Sequence, residues 1–301
     1  MSPALPSLFV YPTRRCNYRC SYCFTNSDAT YSRETFVLGI WQRLIDETRA
    51  AGIGEIRLSG GEPLLIHDIE SRCKAIGDSG LSYTITTNGA LLAKHLDWMQ
   101  DAQPSTLWVS YHREYVEPQQ FLVTVGAVCA RQIRVGINLF DLDVVAFPNL
   151  IKQLIQVGAT RFKLISTTQI GRAANLDKRF TFDRDKFRQI VEIHRHDLSN
   201  LVDIRAAFPL VKSTLTGSQS CVLNERSLLS VDFDGKVYPC CVTVGQANAL
   251  IGDLAIESLA NVVARLAGRS QVLPCQQQLP TVASGETGCP LALAAIRESA
   301  S

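Results

Sequence analysis

SLFVYPTRRCNYRCSYCF, residues 7–24, runs from a short apolar β-like stretch, SLFVY, straight into a loop that packs Cys16, Cys20 and Cys23 together. The same alternation continues outward from it. EIRLS (55–59), SYTITT (82–87), TLWVSY (106–111), RVGINLF (134–140) and RFKLIS (161–166) are rich in β-branched or aromatic residues. Between them, near 34–50, 67–79, 91–100, 117–132 and 147–157, apolar residues recur at three- and four-residue spacing, which predicts helices. Repeated β–α units of this kind predict an α/β fold: a parallel sheet curled into a partial (β/α)6 TIM-type barrel.

In such barrels chemistry gathers where the strands end. The loop with three cysteines follows the first run, GGEP (60–63) the second, TTNG (86–89) the third, and SYH (110–112) closes the fourth. Element order alone puts all four on one rim.

Past residue 166 the texture changes. A long polar connection, TTQIGRAANLDKR, leads to a helical pattern near 183–198 and a strand-like piece, LVDIRAAF. From Cys221 onward, LLSVDFDGKVYPCC carries a hairpin signal: Val231 and Phe233 alternate with polar residues, Asp234-Gly235 supplies the turn, and the return strand ends in Cys240 and Cys241. A helix near 256–267 and a tail holding Cys275 and Cys289 follow. This divides the chain into a barrel over 1–215 and a small β-hairpin plus helix domain over 216–301.

Composition narrows the function. Thirty basic against 28 acidic residues give a formal charge of +2, without the basic excess that a nucleic-acid partner requires. No apolar run approaches the length of about 18 residues needed to cross a membrane, and the N-terminus lacks the features of a signal peptide. A cytoplasmic enzyme is expected, and its ten cysteines then point to metal ligation or catalysis before disulfides. Cys73 and Cys129 continue apolar helical stripes and read as packing residues.

Three thiols on one loop are one short of a tetrahedral zinc site. They suit a cubane iron-sulfur cluster held at three corners, with one iron left open. CNYRCSYC resembles the CxxxCxxC signature of the radical S-adenosylmethionine (SAM) family, and SGGEP and TTNG extend the resemblance. The resemblance implies that Cys16, Cys20 and Cys23 hold a 4Fe-4S cluster whose open iron binds SAM, which on reduction yields a hydrogen-abstracting 5′-deoxyadenosyl radical. It also implies an external electron donor of the flavodoxin or ferredoxin type. Gly60, Gly61, Glu62 and Pro63 would then receive the methionine amino group, Tyr22 and Phe24 would wall the adenine, and Asn88 and Ser110 would reach ribose or carboxylate.

The C-terminal cysteines resemble the SPASM/twitch extensions of that family, which implies one auxiliary 4Fe-4S cluster on Cys221, Cys240, Cys275 and Cys289. Cys241 could replace one of the later ligands, and zinc remains an alternative for this group. Only fifteen residues precede Cys16, too few for a peptide-recognition domain, so a small molecule is expected. Overall the chain resembles the aminoglycoside epimerases within this family, which implies inversion of one sugar carbon.

Inversion needs a thiol that returns hydrogen from the opposite face. The resemblance places that donor cysteine just after the paired cysteines, where this chain has Ala249. Either Cys241 serves instead or the chain is an altered form with the donor removed. A polycationic aminosugar also predicts acids near it: Glu114, Glu117, Asp141 and Asp143, with His112 beside them, follow the fourth and fifth strands. Two other readings stay open at this stage: a radical dehydrogenase, decarboxylase or peptide-modifying enzyme, and a non-catalytic metal-binding module.

Overall fold

A computed structural model of the chain describes residues 7–31, 36, 38–140, 147–165, 171–175, 203–207 and 229–267. Its strands are β1 (Leu8–Tyr11), β2 (Glu55–Leu58), β3 (Ser82–Thr87), β4 (Thr106–Ser110), β5 (Val135–Phe140), β6 (Arg161–Ile165), β7 (Asp203–Ala207), β8 (Leu229–Asp232), β9 (Lys236–Tyr238) and β10 (Gly252–Asp253). The helices are α1 (Leu38–Ala50), α2 (Ile69–Asp78), α3 (Leu96–Asp101), α4 (Pro118–Ala130), α5 (Phe147–Gln156) and α6 (Leu259–Ala267).

One sheet contains all ten strands, in the order β10-β9-β8-β1-β2-β3-β4-β5-β6-β7. Neighbours from β1 to β7 pair in parallel. This is the partial barrel the sequence predicts, and it extends further at both ends. LVDIRAAF forms β7 beside β6, and the first hairpin strand, β8, lies parallel to β1. The hairpin thus continues the barrel sheet, with β9 and β10 antiparallel along its edge, so the ladder groups of β1 are paired on both sides. Gly235, at φ 84°, makes the turn that Asp234-Gly235 announces.

The period-2 alternation of each strand decides what goes where. Leu8 and Val10, Ile56 and Leu58, Leu107 and Val109, Ile137 and Leu139, and Leu229 and Val231 are buried in the core. Against that face pack Trp41, Leu44 and Ile45 of α1, Ile69, Cys73 and Ile76 of α2, and Phe121, Val125 and Val128 of α4. Each such aliphatic side chain stabilises the layer by about 1.5–3 kcal/mol. Cys73 is fully buried and Cys129 packs against the same core, as their stripes predict. The intervening residues, among them Trp108, Ser110 and Asn138, occupy the opposite face of the sheet.

The predicted helix at 183–198, the 215/216 boundary, Asp141, Asp143, Cys221, Cys275 and Cys289 lie outside the described residues.

Candidate active site

The loops after β1 and β2 are locked together by backbone. Gly61 N donates to Thr13 O at 2.9 Å, and Glu62 N donates to Arg15 O at 2.8 Å. This approach requires glycine: a Cβ on Gly61 would lie 2.1 Å from Arg15 O, and one on Gly60, which has φ 106°, would lie 2.6 Å from Thr13 O.

Glu62 itself is fully buried. Its carboxylate accepts from Leu64 N at 3.0 Å, Thr87 Oγ1 at 2.9 Å and Asn88 N at 2.8 Å. Burial pushes its pKa up to about 7, against the pull of those three donors. In the structure the side chain expected to meet an ammonium group also braces the second rim loop against the third. Pro63, also buried, starts the short 3₁₀ turn that Glu62 caps. Asn88 Nδ2 reaches across to Asn17 Oδ1 at 2.8 Å and to Cys16 Sγ at 3.8 Å.

The cysteine loop is shaped to bring its thiols into one field. Cys20 is pushed up to about 12, first by burial and then by the neighbouring Cys23 and Cys16. Cys16 rises to about 11 through burial, and Tyr18 N, which donates to its sulfur at 3.4 Å, opposes that rise. Such thiols are protonated at neutral pH unless a cationic centre draws off their protons, as iron does. Among the described residues no three His, Cys, Asp or Glu side chains stand together closely enough for a single metal ion. Three sulfurs on one loop that share one field form a donor set of the kind an iron-sulfur cluster takes.

The loop after β4 closes over the same thiols. His112 Nδ1 lies 2.7 Å from Tyr22 Oη and 3.5 Å from Cys20 Sγ. Burial lowers the imidazole pKa to about 4, so it is neutral at pH 7. Tyr22, His112 and Phe140 form an aromatic group with ring centroids 5.2–5.8 Å apart. Glu114 accepts from both Ser21 N, at 2.9 Å, and Ser21 Oγ. Tyr115 stacks on Tyr18 at 4.1 Å and accepts from Arg19 N. Glu114 and His112, expected near substrate, thus both contact the cysteine loop. Glu117 is exposed at the start of α4, Phe24 is partly exposed, and Ser110 is buried and accepts from Asn138 Nδ2 at 3.1 Å.

Arg172 is a residue the sequence did not single out. Its guanidinium donates to Cys20 O at 2.9 Å, Asn26 O at 2.8 Å and Ser27 O at 2.6 Å, while its backbone N donates to Cys23 O. Gly171, at φ 65°, lets that backbone approach, because a Cβ there would lie 2.5 Å from Phe24 O. One residue so fixes four carbonyls of the cysteine loop. The only sequence signal was the GR dipeptide in an otherwise polar connection.

On the other side of β1, the paired cysteines are buried with Tyr11. Ala249, 2% exposed, ends a 3₁₀ turn (Ala247–Ala249) a few residues further on. None of the seven described cysteines is in a disulfide.

Residues 10–116 match the Radical SAM superfamily. Over 271 aligned residues the chain is 28% identical to the PqqA peptide cyclase of Methylobacterium sp. (strain 4-46), covering 80% of this chain and 68% of that one. A shorter segment of 84 residues is 36% identical to the S-adenosylmethionine-dependent nucleotide dehydratase of Selenomonas ruminantium, covering 28% of this chain and 30% of that one. Streptococcus suis SuiB, solved bound to S-adenosylmethionine, has the same fold, with a TM-score of 0.74 at 17% identity over 85% of this chain and 65% of SuiB. The chain thus spans slightly less than two thirds of SuiB. The segment from residue 10 to residue 116, which holds all four rim loops, is a radical SAM superfamily domain.

Proposed function

We propose that this chain is a radical SAM epimerase that inverts one sugar carbon of an aminoglycoside, as in the conversion of neomycin C to neomycin B. The observation that carries the radical reading is the convergence on one rim of Cys16, the Gly60–Gly61 backbone and Asn88, from three separate loops tied by hydrogen bonds. In this reading Cys16, Cys20 and Cys23 hold a 4Fe-4S cluster, and SAM lies against Gly60, Gly61, Tyr22, Phe24, Asn88 and Ser110. When bound, these groups supply a carbon radical that removes a hydrogen atom from substrate. The chain's own share is to hold the sugar, with hydrogen returned from the opposite face by Cys241 or by a thiol restored at position 249.

The buried setting of Ala249 supports that assignment of the donor position, since a small residue in a dry turn is where a thiol would be shielded from oxidation. Cys241, also buried, is the alternative donor. Cys240 would hold an auxiliary cluster together with cysteines outside the described residues. The sheet face opposite the core offers a polar lining for a sugar: the amide oxygen Oδ1 of Asn138 is buried and, among the described residues, has no hydrogen-bond partner. Glu114, Glu117, Asp141 and Asp143 complete the acids assigned to an aminosugar, and electrons come from a flavodoxin or ferredoxin.

A second reading, modification of a peptide, is supported by the similarity to a peptide cyclase over four fifths of the chain. Anaerobic turnover in heavy water separates the two. Neomycin C incubated with the Ala249→Cys variant should give inverted product carrying one deuterium and one deoxyadenosine per turnover, without net oxidation. Deoxyadenosine with no inverted sugar, alongside a mass change in a peptide substrate, would favour the second reading.

A further inference from the structure

Two side chains that the catalytic reading leaves unused join the cysteine-loop side of the barrel to the C-terminal segment. Tyr11, the last residue of β1, is 1% exposed. One side of its ring meets the second rim loop, where a Cβ on Gly60 would lie 3.0 Å from Tyr11 Cδ1. Its hydroxyl donates to Cys241 O at 3.2 Å, and the ring is buried with Cys240 and Cys241.

Arg14 makes the second link. Its guanidinium grips Asp232 at the end of β8 with both carboxylate oxygens engaged, Nε to Oδ1 at 3.2 Å and NH2 to Oδ2. Its outer edge lies against Gly245, where a Cβ would stand 2.2 Å from the guanidinium. Gly245, at φ 83°, is the residue from which the chain turns toward Ala249. Tyr11 therefore ties the Cys241 end of the Cys241–Gly245 stretch to β1, and Arg14, anchored on Asp232, packs against its Gly245 end.

We propose that Tyr11 is a positioning residue, seconded by Arg14, that sets the distance between the cofactor loop and residue 249, and hence the competition between hydrogen return and loss of the substrate radical. This rests on the reading of residue 249 as the donor position. Hydrogen transfer falls steeply with distance, so a shift near 1 Å costs up to about a hundredfold in the step affected. The first abstraction, made on the other side of the substrate, depends far less on this contact.

The test is Tyr11→Phe, which keeps the ring and removes the hydroxyl, and Arg14→Gln, each placed on the Ala249→Cys variant. All proteins are reconstituted with iron and sulfide and incubated anaerobically with SAM, reductant and neomycin C. Inverted product should fall about tenfold more than deoxyadenosine formation does. In parallel, amide hydrogen exchange over 240–249 should quicken, while the amides of Gly61 and Glu62 keep their protection. Equal losses of product and deoxyadenosine would show a general structural defect and overturn the proposal, as would unchanged exchange. If the Ala249→Cys parent yields no inverted sugar, the epimerase reading fails. The exchange comparison then decides the link alone, with unchanged rates at 240–249 counting against it. Should Tyr11→Phe not fold, Arg14→Gln carries the same comparison.

Discussion

Gly61→Ala is the sharpest perturbation this site offers, because its cost is set by backbone. The new Cβ would lie 2.1 Å from Arg15 O, 2.6 Å from Arg15 C and 2.7 Å from Arg14 C, none of which can rotate away. Relieving the overlap requires the second rim loop to withdraw by about 1 Å, which stretches Gly61 N to Thr13 O and Glu62 N to Arg15 O from 2.9 and 2.8 Å beyond hydrogen-bonding range. Two such bonds are worth about 2 kcal/mol together, or roughly 30-fold in an equilibrium that depends on the loop pairing. Gly54→Ala is the control: it lies one residue before β2, and a Cβ there meets nothing within 4 Å. With both proteins reconstituted anaerobically, SAM affinity is measured by equilibrium dialysis and cluster content by iron and sulfide analysis. Gly61→Ala should weaken SAM binding by roughly 30-fold while Gly54→Ala stays near the parent. Equal affinity in the two variants would refute the claim that this backbone contact builds the cofactor site.

Other expectations concern the residues that brace the loops. Burial raises Glu62 from an unfolded value near 4.5 to about 7, so the folded state favours the protonated carboxyl. Its contribution to stability is present below pH 4.5 and is lost as pH rises to about 7. A denaturation series across that window should show the parent weakening with pH and Glu62→Gln with a flatter profile, but lower overall, since an amide N–H would then face a backbone donor at a cost of about 1–3 kcal/mol. Arg172→Met removes three guanidinium hydrogen bonds to the cysteine loop; iron retained after gel filtration should fall by half or more, with Arg172→Lys intermediate because a single ammonium cannot reach three carbonyls. Cys73→Ala should leave iron content unchanged and lower Tm by about 2–4 °C, the cost of a small buried side chain in α2. Loss of iron in that variant would contradict the packing role.

What could be read in advance, and what could not, follows from the range of the interactions. Strand runs and helical stripes are local patterns, so the elements from β1 to β6 and the rim position of their loops follow from order alone. Gly60 and Gly61 were legible for the same reason: a glycine pair after a strand marks close backbone approach. The bracing contacts of Glu62 were not, because they depend on Thr87 and Asn88, brought beside it by the β2–β3 pairing. Arg172 lies some 150 residues from the carbonyls it holds, and Arg14 lies 218 from Asp232; no spacing encodes such pairs. The placement of β8 beside β1 is of the same kind, and it has the larger consequence. A hairpin standing apart as its own domain could carry its cysteines anywhere. Once β8 extends the barrel sheet at β1, the strand that launches the cysteine loop also supports the paired cysteines and residue 249, and Tyr11 and Arg14 have partners on both sides. The separation of the two cysteine groups is then a property of one strand pair, so changes that break the β1–β8 backbone pairing itself should alter both groups together, unlike the side-chain changes at Tyr11 and Arg14, whereas substitutions in α4 or α5, across the core, should alter neither.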